Sequence, residues 1–428
     1  MILLRRWLQS AVPATSAERA AALWSFAYFF TLLAGYYVLR PLRDQMGIAG
    51  GVKALPWLFT ATFVSLLVAQ PLYGALVAKL PRRRFIPIVY HFFATNLALF
   101  WLALSLGFAP VYVARIFFVW VSVFNLFAVT VFWSLMADVF TSDQAKRLFG
   151  FIGAGGTAGA LLGPAITIGL SMPLGPTNLL LVAVVFLELA VFCAQRVESI
   201  AGARQGADAE ERPIGGSAFA ALPELFRSRY LLGVGVWVSL LSFGATILYF
   251  EQANIVSAAV HDAGEQTRIF AGIDLAVGLL TLATQVFATA SLLRRFGTGA
   301  TAGALPAVYV VGFAVLALVP TLAVVVTFQV VQRWMNFAIA NPARQVFFTV
   351  MEREEKYNAK NLIDVVIYRG SDALYGWVFD TLQALGLKLG GIALCALPVM
   401  AAWLILSASL GRTQQRRAAQ LGASAQEG

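Results

Sequence analysis

"AAALWSFAYFFTLLAGYYVLRPLRDQMG", residues 20–47, opens as an almost unbroken apolar run and then sets Arg40, Arg43 and Asp44 within five positions. About 20 apolar residues in a helix are enough to cross a ~30 Å hydrocarbon layer. An arginine near the middle of that layer costs roughly 2.5–3.5 kcal/mol, so charge inside such a run must face something other than lipid. Arg40 and Arg43 are three apart and share a helical face, with Asp44 as local partner and Pro41 as a possible kink between them. The stretch reads as a membrane helix with one polar face.

The rest of the chain follows this pattern. Of 428 residues, 60% are hydrophobic and only 12% are charged, about half the charged share of a soluble protein. Apolar stretches recur at 20–39, 55–78, 85–107, 110–139, 148–170, 178–195, 230–250, 269–293, 300–319, 321–349, 361–384 and 387–410. Lipid offers the backbone no hydrogen-bond partner, so each span should be helical. The expected fold class is an all-α integral membrane protein, with twelve transmembrane helices in two six-helix bundles. The expected divisions are a cytoplasmic N-terminal segment 1–19, a bundle 20–195, a cytoplasmic linker 196–229, a bundle 230–410 and a cytoplasmic tail 411–428.

Charge gives the orientation. With the N-terminus inside, of the 31 lysines and arginines only Lys53, Arg268 and Lys388 fall in outside loops. Six more, Arg40, Arg43, Arg115, Arg333, Arg344 and Arg369, lie within or at the ends of spans, and all the others are inside. That asymmetry is the positive-inside pattern, and it places both termini in the cytoplasm. It also accounts for the net charge of +10, so nucleic acid is not an expected partner. The N-terminus has no apolar core followed by a small-residue cleavage site, and reads as retained.

Several features read as packing rather than chemistry. Cys193 and Cys395 sit in separate apolar runs and read as small buried hydrophobes. His91 and His261 have no zinc-type spacing, and no metal or cofactor is expected. No Walker motif, nucleophile elbow or metal signature is present, so an enzyme is not expected. Gly153, Gly155 and Ala158 formally satisfy G-x-G-x-x-[GA]. A dinucleotide fingerprint needs a preceding strand, and here the neighbours are membrane spans, so close helix packing is the expectation. Thr141 and Gln144 predict a capping box, with Asp143 in the first turn of the helix. Tyr36, Tyr37, Trp133 and Trp237 could stack on a planar base, but interfacial belts use the same residue types.

"GALVAKLPRRR" (74–84) and "SLLRRFG" (291–297) resemble the G-x-x-x-D-[RK]-x-G-[RK]-R loop of the major facilitator superfamily and its second-half counterpart. Ala78 stands at the acid's position and Pro81 at the glycine's. The resemblance implies two bundles with a substrate site near the midplane. "VLRPLRD" (38–44), "FWSLMADVFTSDQAKRLFGFIGAGGTAG" (132–159) and "NPARQVFFTVMEREEKYNAKNLIDVV" (341–366) resemble, in order and spacing, the ATP/ADP translocases of plastids and obligate intracellular bacteria. Arg43 and Arg344 take the places of translocase lysines, Glu251 matches a translocase glutamate, Val121 falls where an acid stands, and Asp372 falls near a lysine.

The residues and the resemblance together name a candidate site. Substrate-binding candidates are Arg40, Arg43, Glu251, Arg333, Arg344 and Arg369, because a guanidinium can clamp a carboxylate or phosphate with two parallel bonds. Arg333 and Arg344 are eleven apart, about three turns, and would share a face of an unbroken helix. Gating or coupling candidates are Asp44, Asp138, Asp274, Asp364 and Asp372. Glu188, alone in its span, is a proton-coupling candidate, and Arg115 reads as a snorkelling anchor. The expectation is a monomeric secondary transporter of a bacterial cytoplasmic membrane, working by alternating access. Its substrate would be a small organic anion such as a nucleotide or phosphorylated metabolite, moved by exchange or with a proton. Export of a neutral or cationic solute, and a non-transporting scaffold or receptor of the same fold, are the alternatives.

Overall fold

A computed structural model describes residues 15–79, 82–202, 228–350, 360 and 362–427. Among them all regular structure is helical. Residues 1–14, most of the linker and part of the 74–84 loop lie outside the described residues, as does the 351–359 stretch of the third translocase-like element. The first helix, α1 (Ser16–Ala49), starts where the Thr15 hydroxyl accepts the Glu18 N–H and the Glu18 carboxylate accepts the Thr15 N–H. This capping box was not foreseen, whereas the one at Thr141 and Gln144 was, and it opens α5 as expected. Pro41 does not end α1. At 1.5 Å per residue the helix is about 50 Å long, so the charged cluster belongs to the same helix as the apolar run.

The helices that follow are α2 (Leu55–Lys79), α3 (Arg82–Ser105), α4 (Pro110–Val139), α5 (Ser142–Leu170), α6 (Gly175–Gly202), α7 (Arg229–Ala259), α8 (Ala263–Phe287) and α9 (Thr289–Leu318). Next, α10 (Leu322–Met335) passes through a π-helical turn, Asn336–Ala340, into α11 (Asn341–Phe347). A second π turn, Leu362–Ile367, leads into α12 (Tyr368–Ala384), and α13 (Leu389–Glu427) ends the chain. Among the described residues, eleven helices are long and apolar enough to cross a membrane. The twelfth expected span is the π turn plus α12, which carries Asp364, Arg369, Asp372 and Asp380. It is helical where expected but more charged than the other eleven.

Two compact units are present. One draws its described residues from Met1–Gly50, Val68–Ile214 and Asp262–Leu275, the other from Gly51–Leu67, Gly215–His261 and Ala276–Gly428. Each therefore recruits part of one helix from the other half of the sequence. In the first unit, α1 and α5 meet along a stripe of small residues. A Cβ added at Gly159 would lie 2.2 Å from the Phe30 carbonyl oxygen, and one at Gly163 would lie 2.6 Å from that of Ala34. The glycine-rich run is thus a packing surface, as its position between spans implied, although Gly153 itself meets nothing. Tyr28, on α1, and Tyr90, on α3, join hydroxyls in the core, and Tyr90 also donates to the Ala128 carbonyl.

The second unit has its own buried polar chain. Tyr309 donates to Gln332, whose amide donates to Gln329, and Trp237 donates to Ser407. Gly297, the last residue of the 291–297 loop, has φ +74°, a left-handed conformation at which α9 breaks and restarts. Cys193 is buried as expected, while Cys395 lies exposed on α13.

Candidate functional site

The C-terminal third of α1 forms the first charged station. Arg40 donates from NH1 to Asp274 Oδ1 at 2.7 Å, and the Asp274 side chain, on α8, is 1% exposed. The two residues are 234 positions apart. Such a charge-assisted bond is strong and directional. One helical turn on, the Arg43 guanidinium lies 3.9 Å from the centre of the Phe118 ring on α4. Its NH1 reaches Asp44 at 3.4 Å, and its Nε reaches the Phe118 carbonyl at the same distance. Arg43 is thus laid against α4 rather than extended. Arg115 does more than snorkel: its Nε donates to the Gly50 carbonyl at 2.7 Å, placing a cation at the C-terminus of α1, where the helix dipole favours it.

The second station lies in the other unit, where the two π turns are. Arg344, on α11, approaches Asp364 to 3.1 Å. This is an ion pair off the angle of a hydrogen bond, with side chains 13% and 33% exposed. A π turn adds a residue to the helical register and is frequent at functional sites. Because one such turn separates Arg333 from Arg344, their eleven-residue spacing no longer fixes a common face. Arg333 is half-buried on the last turn of α10.

Asp372 is buried on α12. It accepts from Ser242 at 2.6 Å and Thr246 at 3.3 Å, with Arg369 NH1 at 3.4 Å. Ser239 meets Ser371 and Tyr375, each at 2.8 Å. Ser239, Ser242 and Thr246 stand at i, i+3 and i+7 on α7, a polar stripe legible in the sequence but overlooked because no charge marked it.

The remaining candidates lie apart. Asp138 is exposed near the end of α4. Glu188 is not alone, since its Oε1 is 3.1 Å from Nδ1 of His91 on α3, with both side chains about half exposed. Glu251, on α7, is fully buried, and neither carboxyl oxygen has a hydrogen-bond partner among the described residues.

The Major Facilitator Superfamily model matches residues 10–353 of the chain. No curated protein matches it. Solved structures of the same fold include a bacterial homologue of the iron transporter ferroportin in an inward-facing state (12% identity, TM-score 0.66), with 93% of this chain and 98% of that one covered. A POT family transporter in complex with a thioalcohol-conjugated peptide matches at 11% identity and TM-score 0.62, over 92% of this chain and 96% of that one. The nucleoside transporter NupG matches at 14% identity and TM-score 0.57, over 94% of this chain and 99% of that one. At these identities the likeness is one of fold.

Proposed function

Because the chain belongs to the Major Facilitator Superfamily, we propose that it is a secondary transporter of small organic anions that works by alternating access. The multi-pass membrane fold and its transporter neighbours support the class. One observation carries the anion reading: arginines in the expected membrane spans of the second unit are held by neighbouring acids while part of each side chain stays exposed. Arg344 with Asp364 and Arg369 with Asp372 are the cases in point. A phosphate or carboxylate can take the acid's place on such a guanidinium, which stays paired, while the displaced Asp372 keeps its bonds from Ser242 and Thr246 and Asp364 keeps its exposed edge. Nucleotides and phosphorylated metabolites are the proposed substrates, in line with the translocase-like stretches. The proposed setting is a bacterial cytoplasmic membrane with both termini inside, and the proposed active form is a monomer.

In this reading Arg333, Arg344 and Arg369 contact substrate, and Asp364 and Asp372 release them to it. Arg40 and Asp274 form a gate bond, with Arg43 and Asp44 holding the helix face beside it. Thermal-shift measurements on purified protein test this, with ATP, ADP and hexose phosphates set against amphiphilic cations. Stabilisation by the phosphorylated compounds, followed by their uptake into proteoliposomes, is expected. Stabilisation by cations alone would overturn the anion reading. Failure to take up any of a broad anion panel, with tight binding of a partner protein, would overturn the transporter reading in favour of a scaffold.

A further inference from the structure

Glu251 is a fully buried acid that the anion mechanism leaves unused. It lies on α7, with Ile247 and Leu248 one turn before it on the same face and Ile255 one turn after, all buried. The side chain is 0% exposed, and neither carboxyl oxygen has a hydrogen-bond partner among the described residues. The segments packed on α7 include the turn Val52–Ala54, α10, the π turn Leu362–Ile367, α12 and α13, with Phe59 of α2, Tyr309 of α9 and Phe347 of α11 also against it. Their charged groups nearest the membrane interior are Lys53, Arg333, Arg344, Asp364, Arg369, Asp372 and Asp380. None of them bonds to Glu251, and the arginines of α13, at 412, 416 and 417, lie far along that helix.

Neighbouring polar groups are already engaged. Asp364 faces Arg344, Asp372 is held by Ser242, Thr246 and Arg369, Tyr375 by Ser239, and Tyr309 by Gln332. Just before Glu251, Phe250 packs against Phe59 and Phe379, 5.3 and 5.1 Å away, which seals that side with aromatic rings. An ionised carboxylate without a partner in such a place is strongly disfavoured, while the neutral acid is tolerated.

We propose that Glu251 is a proton-binding site: it holds one proton while sealed in the core of its unit and releases it when that core opens to water, so that each cycle carries a proton. The ligand is the proton itself, and Glu251 takes no direct part in substrate binding. This rests on the alternating-access reading. Both tests below work without a substrate, so a failed uptake assay strikes that reading and leaves this one to its own measurements.

The first test is infrared spectroscopy of the purified protein in lipid nanodiscs across a pH series. A carbonyl stretch from a protonated carboxyl should persist at neutral pH, shift on deuteration and vanish in Glu251→Gln. Glu251→Asp should move the band rather than remove it, which separates loss of the acid from loss of the fold. The second test labels Ile255→Cys with a membrane-impermeant maleimide, in a background carrying Cys193→Ala and Cys395→Ala. The labelling rate is divided by that of the same maleimide with a free thiol at each pH, which corrects for thiolate formation. The corrected rate should still rise by about tenfold per pH unit through the titration, because opening is linked to release of one proton. Adding Glu251→Gln should flatten that corrected dependence. Absence of the band at neutral pH, a band unchanged in Glu251→Gln, or an equal pH slope in both backgrounds would overturn the proposal.

Discussion

The two charged stations treat an arginine–aspartate pair in opposite ways. On α1 the helix is continuous, Arg40 meets Asp274 at 2.7 Å in hydrogen-bond geometry, and the acid is almost completely enclosed. In the second unit both partners adjoin π turns, Arg344 meets Asp364 at 3.1 Å off that geometry, and the acid is one-third exposed. A well-aligned bond to an enclosed acid is hard to exchange, even with Arg40 itself 22% exposed, because the acid meets no water when it lets go. A misaligned pair whose acid is one-third exposed gives up less when another anion displaces that acid. On the proposed reading the first is a lock between α1 and α8, and the second a seat for the substrate. The same residue types do both jobs, and local helix geometry makes the difference.

If this contrast is right, the largest effect comes from breaking the lock. Arg40→Ala removes the 2.7 Å charge-assisted bond to the buried Asp274 carboxylate and should destabilise the protein by about 3–5 kcal/mol, seen as a fall in Tm and loss of uptake in proteoliposomes. The exchange Arg40→Asp with Asp274→Arg should recover part of the stability. A Tm unchanged by Arg40→Ala would dissolve the distinction between the stations. Next in size is deletion of Val366, which removes one residue from the Leu362–Ile367 turn and rotates Asp364 away from Arg344. Misplacing a contact by an ångström can reduce function on the order of a hundredfold. Uptake should therefore collapse while expression and Tm stay near those of the parent. A deletion variant that transports normally would show the π turn to be incidental.

How much of this the sequence disclosed depends on the range of each interaction. Membrane spans are legible because about 20 apolar residues are contiguous, and the Thr141–Gln144 cap because its partners are three residues apart. The α1–α5 contact was half legible: the small residues announced close packing, but nothing local identified α1 as the neighbour. Asp274 was singled out as an intramembrane acid, yet its partner lay 234 residues away, beyond the reach of any periodicity. The same gap hid Phe118 under Arg43 and His91 beside Glu188. The π turns left no mark because one extra residue in a helix changes no composition and little of the apolar pattern, and that residue undid the shared face expected of Arg333 and Arg344.

A smaller effect on stability tests how far the α1 station depends on planarity. Arg43 lies with its guanidinium 3.9 Å from the Phe118 ring centre, an interaction worth about 0.5–2 kcal/mol, to which a compact ammonium is less suited than a flat guanidinium. Arg43→Lys should keep the charge beside Asp44, lower Tm by a few degrees and retain part of the uptake. Arg43→Ala should abolish uptake with normal membrane insertion. If the alanine variant transports at the parent rate, Arg43 is a packing residue and only Arg40 matters on this face.

The smallest effect belongs to Arg369, and it separates a seat from a strut. Its NH1 is 3.4 Å from Asp372 one turn away, and its side chain is 38% exposed. Pairs that exposed contribute about 0–1 kcal/mol. Asp372 also keeps its bonds from Ser242 and Thr246 when the arginine is removed. Arg369→Ala should therefore leave Tm within the error of the parent. If Arg369 contacts the substrate, the same variant should raise KM for an anionic substrate severalfold with little change in turnover, because a ground-state contact is lost without disturbing the helix. Arg369→Lys should restore only part of the affinity, a point charge being a poor replacement for a two-point clamp. A drop in Tm with KM unchanged would make Arg369 a strut for α12 and leave Arg344 as the one seat the π turns provide.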